Sequence, residues 1–457
     1  MSDEPSTVRI VGAGPTGALL AILLQRRGHA VELFESRSDP RRAGSESGRS
    51  INLALADRGI HALQAAGVFQ ELKAALLPMR GRLIHPREGG TSLQPYGLPN
   101  ELIYSISRQR LNQTLLEVAA RQPGVSIHFE HRFESADFAH ATAWLRDLKQ
   151  DRLISVPMRP LLAADGAGSP LRRALSALHL IEARETDLEH GYKELSIPAD
   201  SAGRYTLEAD ALHIWPRGNY MLIALPNEDG SFTATLFLAK QGEVSFERLQ
   251  EPAAIERFLA SSFPDARALM PHCVEEFRAH PVGFLGTVSA VPWHHLGVAA
   301  LIGDAAHAIV PFHGQGMNCC FEDCIEFDAC LARHTADGHT AWAHLFAEFG
   351  ALRKPNTDAI AAMALDNYLE MRERVVHPKF QLQQALSLEL ERRFPQRFIP
   401  RYSMVMFHHE IPYLIALERG AIQSGLLSEL TAGGVSSLGD IDFARAESEV
   451  CARLAPL

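Results

Sequence analysis

The sequence predicts an α/β fold, because strand-like and helix-like segments alternate around a glycine-rich turn. An apolar strand from Thr7 to Val11 leads into the turn Gly12-Ala13-Gly14-Pro15-Thr16-Gly17, and a helix follows as far as Gln25. A second strand, Ala30 to Phe34, ends at Glu35. This acid lies about 20 residues after the turn, the usual offset for a carboxylate that binds ribose hydroxyls. These features predict a Rossmann-type dinucleotide-binding domain.

Each glycine of the turn has a separate expected role. Gly12 allows the tight turn, Gly14 lets the backbone approach a pyrophosphate, and Gly17 lets the helix pack closely on the strand. The helix N-terminus offers free N–H groups and the positive end of a dipole to the phosphates. The alternative is a chance glycine-rich turn. The second strand and its terminal acid make nucleotide binding the stronger interpretation.

Two later segments add to this pattern. Asp165-Gly166 follows the apolar run Leu161 to Ala164, with Ser169 and Arg172 a short distance on. Gly303-Asp304 follows an apolar strand and precedes a second glycine-rich turn, His313 to Asn318. Alone, Gly303-Asp304 would be an ordinary turn at a strand end. In this order with the first turn, the segments resemble the FAD-dependent aromatic hydroxylases, the single-component flavoprotein monooxygenases.

The resemblance implies a non-covalently bound FAD. Asp304 would bind the ribityl chain, and the segment around Asp165 would contact both the FAD region and the nicotinamide donor. The helix after the second turn would direct its N-terminus at the pyrimidine edge of the flavin, where it would stabilise the anionic reduced form. The residues expected to bind FAD are Gly12, Gly14, Gly17, Glu35, Arg37, Arg108, Asp165, Asp304, Gly316, Met317 and Asn318.

Longer strings, spread over nearly the whole chain, are similar to the branch of this family that acts on L-kynurenine. They are Gly48 to Leu55, Met79 to Arg82, Leu93 to Gly97, Ser105 to Arg108, His190 to Leu195, Val310 to Asn318, Leu365 to Tyr368 and Phe398 to Met404. The resemblance implies that the amino-acid end of the substrate is bound by Arg82, Tyr96, Asn367 and Tyr402. The expected apolar slot for its ring consists of Leu212, Ile223, Leu225, Thr235, Phe237, Pro311 and Phe312. On pattern alone, Arg82 would be a surface charge, and Phe237 a core residue.

The resemblance also implies the reaction. NADPH would reduce FAD, O₂ would give a flavin C4a-hydroperoxide, and its distal oxygen would pass to the ring to form 3-hydroxykynurenine in tryptophan catabolism. The sequence singles out no side-chain base. It has no second GxGxxG and no redox CxxC pair, so transient docking of NADPH is expected. The alternatives are a hydroxylase of another aromatic acid and a flavin-bearing binding protein with a decayed site. The absence of a WxWxIP string disfavours a flavin halogenase.

Composition narrows the functional classes further. The net charge of −10 disfavours nucleic acid as a partner. Four of the six cysteines cluster between Cys319 and Cys330 without paired spacing, which favours buried thiols in a reducing cytosol over a metal site. The acidic start and the lack of an apolar run of about 18 residues predict a cytoplasmic protein without a membrane span.

The 457 residues suggest two or three domains. A discontinuous FAD-binding domain is expected at 1–75, 100–180 and 286–350, and an inserted mixed β-sheet domain for the substrate at 76–99 and 181–285. The remainder, 351–457, is expected to be a C-terminal helical region. Within it, Met404 to Leu427 is predicted to form one packed amphipathic helix.

Overall fold

The computed structural model describes residues 7–42 and 52–457, and these divide into two compact units. Unit 1 contains the described residues of Met1–Leu76, Ile106–Asp187 and Gly286–Ala361. Unit 2 contains Leu77–Ser105, Leu188–Leu285 and Ala362–Leu457. The residues Gly48 to Ile51 of one family-like string lie outside the described part.

Unit 1 is built on a six-stranded sheet that is parallel except at one edge. Its strand order is His294–His295, Ala299–Leu301, Leu161–Ala163, Val8–Val11, Val31–Glu35, Val125–Phe129. Only the two-residue edge strand runs antiparallel to its neighbour. Such a sheet, with helices in the connections, is the arrangement predicted from the first glycine-rich turn.

Smaller sheets and helices complete unit 1. The other strands are Asn52–Leu55, His131–Asp137, Thr142–Asp147, Arg152–Pro157, Glu182–Asp187, Gly286–Val291, Thr335–Ala336 and His339–Thr340. The helices, including short 3-10 turns, are Pro15–Arg26, Asp57–Ala65, Phe69–Leu72, Lys73–Ala75, Arg108–Ala120, Pro170–Ala177, Asp304–His307, Pro311–His313, Gly316–His334 and the first part of Trp342–Glu373. The strand Glu182–Asp187, expected in the substrate domain, pairs here with Gly286–Val291.

The helix Pro15–Arg26 begins at a proline and is buried along most of its length. Proline at its first position has no N–H to leave unpaired and a φ angle already suited to a helix. Every residue from Gly17 to Leu24 is buried, so the helix is covered on all sides rather than on one face. A helix that is apolar all round belongs in the interior of a protein.

Unit 2 is built on a mixed six-stranded sheet. Its strand order is His190–Ile197, Phe232–Ala239, Met221–Pro226, Ala211–Pro216, Gly81–Ile84, Ser92–Pro95. All neighbours are antiparallel except the pair Ala211–Pro216 and Gly81–Ile84. The strand Leu77–Met79 pairs with the adjoining strand Ile103–Ser107. Together the two units confirm the predicted fold class, a Rossmann-type domain with an inserted mixed sheet.

One face of this sheet packs against helices. Trp215, Leu222, Phe232 and Leu236 project from it into a core with the helices Pro252–Ser262, Pro264–Ala268 and Cys273–Ala279. Side chains alternate between the two faces along a strand. The residues that directly precede or follow these four on their own strands therefore face the other side of the sheet. That second face carries the candidate substrate residues.

The C-terminal part of unit 2 is helical, as predicted. Its helices are the end of Trp342–Glu373, then Arg374–Val376, Pro378–Arg393, Arg401–Phe407, Tyr413–Leu430, Leu438–Asp440 and Phe443–Arg453. The single helix predicted from Met404 to Leu427 is wrong. Two helices meet there, and Pro412 is the N-cap of the second, because proline cannot continue a helix through its interior. Over the described ranges, no helix combines the length and the apolar character needed to cross a bilayer.

Candidate functional site

Four of the predicted cofactor residues in unit 1 lie at the carboxyl ends of four neighbouring parallel strands. Gly12 follows Val8–Val11, Glu35 ends Val31–Glu35, Asp165 follows Leu161–Ala163, and Asp304 follows Ala299–Leu301. Segments almost 300 residues apart in sequence therefore meet at one edge of the sheet. In open α/β sheets, ligands bind in the crevice outside this edge.

The glycines of the first turn differ in the space around them. A Cβ on Gly12, whose φ is +100°, would lie 2.3 Å from the carbonyl oxygen of Ala164. A Cβ on Gly17 would lie 2.0 Å from the carbonyl oxygen of Gly12. At Gly14, in contrast, no described residue other than its immediate chain neighbours has a heavy atom within 4 Å of such a Cβ. Two glycines thus allow close packing of backbone on backbone, and the third leaves open space at the helix N-terminus, where a pyrophosphate would bind.

The Glu35 carboxylate is held in place by hydrogen bonds from the first glycine-rich turn and from Arg37. Its Oε2 accepts a hydrogen bond from the Ala13 N–H at 3.0 Å, and its Oε1 accepts from the N–H and Nε of Arg37, both at 2.9 Å. Burial alone would raise the pKa of Glu35, but the bonds from Arg37 and Ala13 hold it below its usual value. The carboxylate therefore stays ionised and can accept bonds from ribose hydroxyls.

The two carboxylate oxygens of Asp165 are buried. Among the described residues, neither oxygen has a partner with hydrogen-bond geometry, although Ser169 and nearby backbone N–H groups act to lower the pKa of the carboxyl. Burial raises the pKa of this carboxyl to about 6. A buried polar atom without a partner costs free energy in the folded protein. A bound group with hydrogen-bond donors would remove that cost.

The residues around the second glycine-rich turn have mixed environments. The Cys320 thiol donates to Asp304 Oδ1 at 3.5 Å. The Asn318 side chain accepts from the Ala56 N–H and donates to the carbonyl groups of Ala54 and Gly314, so its amide is occupied within the protein. Gly316 and Met317 begin the helix Gly316–His334 and are half-buried, whereas Arg108 is exposed at the start of its own helix. These residues fit FAD, because the described chain leaves open space over Gly14, an ionised acid for ribose and a buried Asp165 carboxylate without a hydrogen-bond partner.

In unit 2, the predicted substrate residues form one buried cluster around Arg82. The Arg82 guanidinium donates to Glu370 Oε1 at 2.8 Å and to Asn367 Oδ1 at 3.3 Å. It also lies 4.8 Å from the ring centroid of Tyr402. Burial alone would lower the pKa of Arg82, but Tyr402 and Glu370 keep it above its usual value. The interpretation of Arg82 as a surface charge is wrong, since only 7% of the residue is exposed.

Tyr96 completes this cluster. Its ring stacks on the Tyr402 ring, with centroids 5.6 Å apart and 11° between the planes. Its hydroxyl oxygen is buried and has no hydrogen-bond partner in the described part of the chain. Burial raises the pKa of Tyr96 well above its usual value, so the hydroxyl stays protonated and can donate to a ligand.

The strand residues of the expected apolar slot share the sheet face that carries Arg82. Leu212 is opposite Arg82, Ile223 is opposite Thr235, and Leu225 is opposite Thr233. Phe237 lies two residues beyond Thr235 and therefore projects from the same face. Pro311 and Phe312 lie in unit 1, in the short helix Pro311–His313, where Phe312 is buried and Pro311 is exposed.

Comparison with known proteins places the chain in a family. A family model described as "FAD binding domain" matches residues 5–355. A protein of Stenotrophomonas maltophilia named kynurenine 3-monooxygenase is 49% identical over 98% of this chain and 97% of its own length. A protein of the same name from Myxococcus xanthus is 46% identical over 98% and 96%. The chain belongs to the kynurenine 3-monooxygenase family of FAD-dependent hydroxylases.

Solved structures with low sequence identity share the fold of this family. A tetrameric form of 2-methyl-3-hydroxypyridine-5-carboxylic acid oxygenase matches with a TM-score of 0.65 at 18% identity, over 85% of this chain and 98% of its own. P. aeruginosa PqsL in complex with 2-aminobenzoylacetate matches with a TM-score of 0.64 at 20% identity, over 81% and 98%. The chain therefore shares its fold with these proteins, and membership of the family confirms FAD as the cofactor.

Two acids that bear on the sites of this family member are absent from the sequence-based expectations. Glu370 forms an ion pair with Arg82. Asp323 accepts a hydrogen bond from the N–H of Gly303, the residue before Asp304. Glu370 lies three residues after Asn367, so both are on one face of the same helix. That spacing could have identified Glu370, whereas no local signal marks Asp323.

Alanine at Gly17 should lower the stability of the apoprotein, whereas alanine at Gly14 should lower its affinity for FAD. Gly17→Ala should lower the free energy of unfolding of the apoprotein by about 1–3 kcal/mol, because its methyl group overlaps the Gly12 carbonyl. Gly14→Ala should leave apoprotein stability within about 0.5 kcal/mol but weaken FAD binding on the order of tenfold, because the methyl group enters the pyrophosphate space. Urea unfolding and titration of apoprotein with FAD measure the two effects. Equal FAD affinity in Gly14→Ala and the unmodified protein would place the pyrophosphate elsewhere.

Asp165 should make apoprotein stability depend on pH. Its pKa is raised from 3.8 to about 6 on folding, so the native state holds this proton more tightly than the unfolded chain. The favourable contribution is complete below about pH 4 and is lost as the pH rises through about 6. A tenfold change in proton affinity corresponds to about 1.4 kcal/mol. As the pH rises from 4 to 7, the free energy of unfolding of Asp165→Asn should therefore increase by roughly 3 kcal/mol relative to that of the unmodified apoprotein. Denaturant unfolding at several pH values measures the difference, and a constant difference would contradict it.

Proposed function

We propose that this protein hydroxylates L-kynurenine at ring position 3, with NADPH and O₂ as co-substrates. The observation that carries the proposal is the buried ion pair of Arg82 and Glu370 beside the Tyr96 hydroxyl, which has no hydrogen-bond partner among the described residues. An α-amino acid has a carboxylate and an ammonium group on adjacent atoms. A buried guanidinium next to a buried carboxylate is complementary to that charge pattern. Related proteins named kynurenine 3-monooxygenase support the same substrate.

Arg82 is proposed to bind the substrate carboxylate. A guanidinium has five N–H donors in a planar fork that suits a carboxylate, and the hydrogen-bond partners of Arg82 in the described chain are Glu370, Asn367 and Tyr402. Donors therefore remain for a ligand. Tyr96 is proposed to donate a hydrogen bond from its hydroxyl to the same carboxylate, which would satisfy an oxygen that is buried without a partner in the described part of the chain.

Glu370 is proposed to have two roles. It balances the charge of Arg82 while the site is empty, because an unpaired buried charge would be strongly destabilising. When the substrate is bound, the same carboxylate would lie near the ammonium group and accept from it. The sheet face of Leu212, Ile223 and Phe237 would then contact the aromatic ring through apolar atoms, as the walls of small-molecule sites usually do.

Unit 1 is proposed to hold the cofactor in its crevice, with Glu35 on the ribose and Asp304 on the ribityl chain. When bound, FAD would supply the redox chemistry, taking a hydride from NADPH and activating O₂. The residues of this chain bind, orient and keep the groups dry; none of them is assigned as a general base. A cytoplasmic location is part of the proposal and is supported by six cysteines that are all free thiols.

Product analysis tests the substrate and reaction together. Purified protein reconstituted with FAD should convert L-kynurenine to 3-hydroxykynurenine in the presence of NADPH and air, with one NADPH oxidised per product. Mass spectrometry of the product and absorbance of NADPH measure both quantities. NADPH oxidation that yields only hydrogen peroxide would instead favour a flavin-bearing binding protein. Product from another aromatic acid, but not from kynurenine, would indicate a different hydroxylase.

Variants of the ion pair should separate the two ends of the substrate. Arg82→Met should raise the dissociation constant for kynurenine on the order of 10- to 150-fold, because a charged hydrogen bond is lost. The loss should be small for an analogue without the carboxylate. Glu370→Gln should weaken kynurenine but have little effect on an analogue without the amino group. Substrate-induced changes in flavin fluorescence measure these constants.

Two controls accompany these variants. Arg80→Met alters a half-exposed arginine that pairs with Glu208 and Asp210, and it should leave kynurenine binding unchanged. The double variant Arg82→Met, Glu370→Gln removes both charges and so avoids an unpaired buried acid. If both analogues lose as much affinity as kynurenine in the single variants, the pair does not contact the amino-acid end.

A further inference from the structure

Asp323 is a fully buried acid in the helix Gly316–His334. Its Oδ2 accepts from the Gly303 N–H at 3.0 Å and from His307 Nε2 at 2.5 Å. Its Oδ1 accepts from Arg353 Nε at 2.6 Å. Gly303 and His307 flank the short helix Asp304–His307 at its two ends. One carboxylate therefore fixes both ends of the helical turn that begins at Asp304.

The backbone at Gly303 leaves little freedom for this turn. Gly303 has φ +64° and ψ −142°, a conformation that favours glycine. A Cβ at this position would lie 3.1 Å from both Cys320 Sγ and Thr16 Cγ2. The Gly303 N–H bond to Asp323 is thus formed in a close-packed position, and Asp304 is the next residue along the chain.

The charge of Asp323 is balanced by a buried network. Arg353 also pairs with Glu322, at 2.6 Å, and Glu322 in turn pairs with the fully buried Arg58. Burial alone would raise the pKa of Asp323, but His307 and Arg353 outweigh burial and hold it below its usual value. The carboxylate stays ionised, and its hydrogen bonds to Gly303 and His307 are charge-assisted and strong.

A metal site is the other chemistry that these residues suggest. One ligand atom each from His307, Cys319 and Asp323 lies within 4.8 Å of the others. However, both oxygens of Asp323 already accept bonds, and Arg353 Nη2 lies 3.5 Å from Cys319 Sγ. Burial raises the pKa of the Cys319 thiol well above its usual value, so it stays protonated. The cation in this cluster is the arginine, and the cluster serves the neighbouring turn.

We propose that Asp323 is a positioning residue for FAD, which sets the affinity for the cofactor by fixing the direction of the Asp304 carboxylate. It acts through the Gly303 N–H and the His307 ring and has no assigned contact with the cofactor itself. The inference rests on the proposed role of Asp304 at the ribityl chain and is independent of the substrate.

A double-mutant cycle tests this inference. Apoprotein of the unmodified chain, Asp304→Ala, Asp323→Asn and the double variant would be titrated with FAD, and the dissociation constants measured from the quenching of flavin fluorescence. Each single change should weaken FAD binding on the order of 10- to 100-fold. The double variant should bind no more weakly than Asp304→Ala alone, because Asp323 has nothing left to position. A merely structural loss would instead multiply with the loss from Asp304→Ala.

Two further variants keep the test decisive. Asp328→Asn changes an acid in the same helix that pairs with Arg27 at 2.6 Å and is partly exposed, and it should bind FAD like the unmodified protein. If Asp323→Asn does not fold, His307→Gln replaces the ring but retains an N–H donor, and a smaller loss that also disappears with Asp304→Ala is expected. Unchanged affinity in Asp323→Asn, or multiplied losses in the double variant, would overturn the inference. Unchanged affinity in Asp304→Ala would refute the proposed role of Asp304 and, with it, any positioning by Asp323.

Discussion

The cofactor site of unit 1 depends on the register of its parallel strands. Val11 is paired with Phe34 on one side and with Ala163 on the other, and Ala163 is paired with Leu301. The chain therefore leaves all four strands at the same level of the sheet. The turns that follow contain the glycines and acids assigned to FAD, so their spacing is set by backbone hydrogen bonds rather than by contacts among the side chains themselves.

In unit 2 the main physical constraint is the buried guanidinium of Arg82, which needs partners within the protein when no ligand is bound. An isolated buried charge is too costly to keep in a folded protein. Glu370 and Asn367, on one helix face, provide the partner and a hydrogen-bond acceptor for Arg82, while Tyr402 covers the guanidinium with its ring. Because the sheet alternates, the large apolar core with Trp215 lies on the opposite face and leaves this one free for polar and ring contacts.

How far the sequence predicts each feature depends on whether the signal is local. The glycine turns and the acid at the end of the second strand are local signals, and the structure brings them together at the carboxyl ends of neighbouring strands. Only the family resemblance predicts a substrate role for Arg82, because on pattern alone this residue would be a surface charge. Its partner Glu370 lies 288 residues away, and the partners of Asp323 come from two other segments; such pairings arise only from the tertiary fold. Pro412 is a local signal for a helix break, and the prediction of one helix from Met404 to Leu427 does not take it into account.

The internal pairing of Arg82 with Glu370 also has a consequence for how a zwitterion would approach this protein. The pair has no net charge, an amino acid such as kynurenine has none at neutral pH, and the chain as a whole is acidic. Long-range attraction, which salt screens over about 10 Å at 0.1 M, would contribute little to encounter. Recognition would depend on contacts made after water has been excluded, and substrate affinity would be largely insensitive to ionic strength.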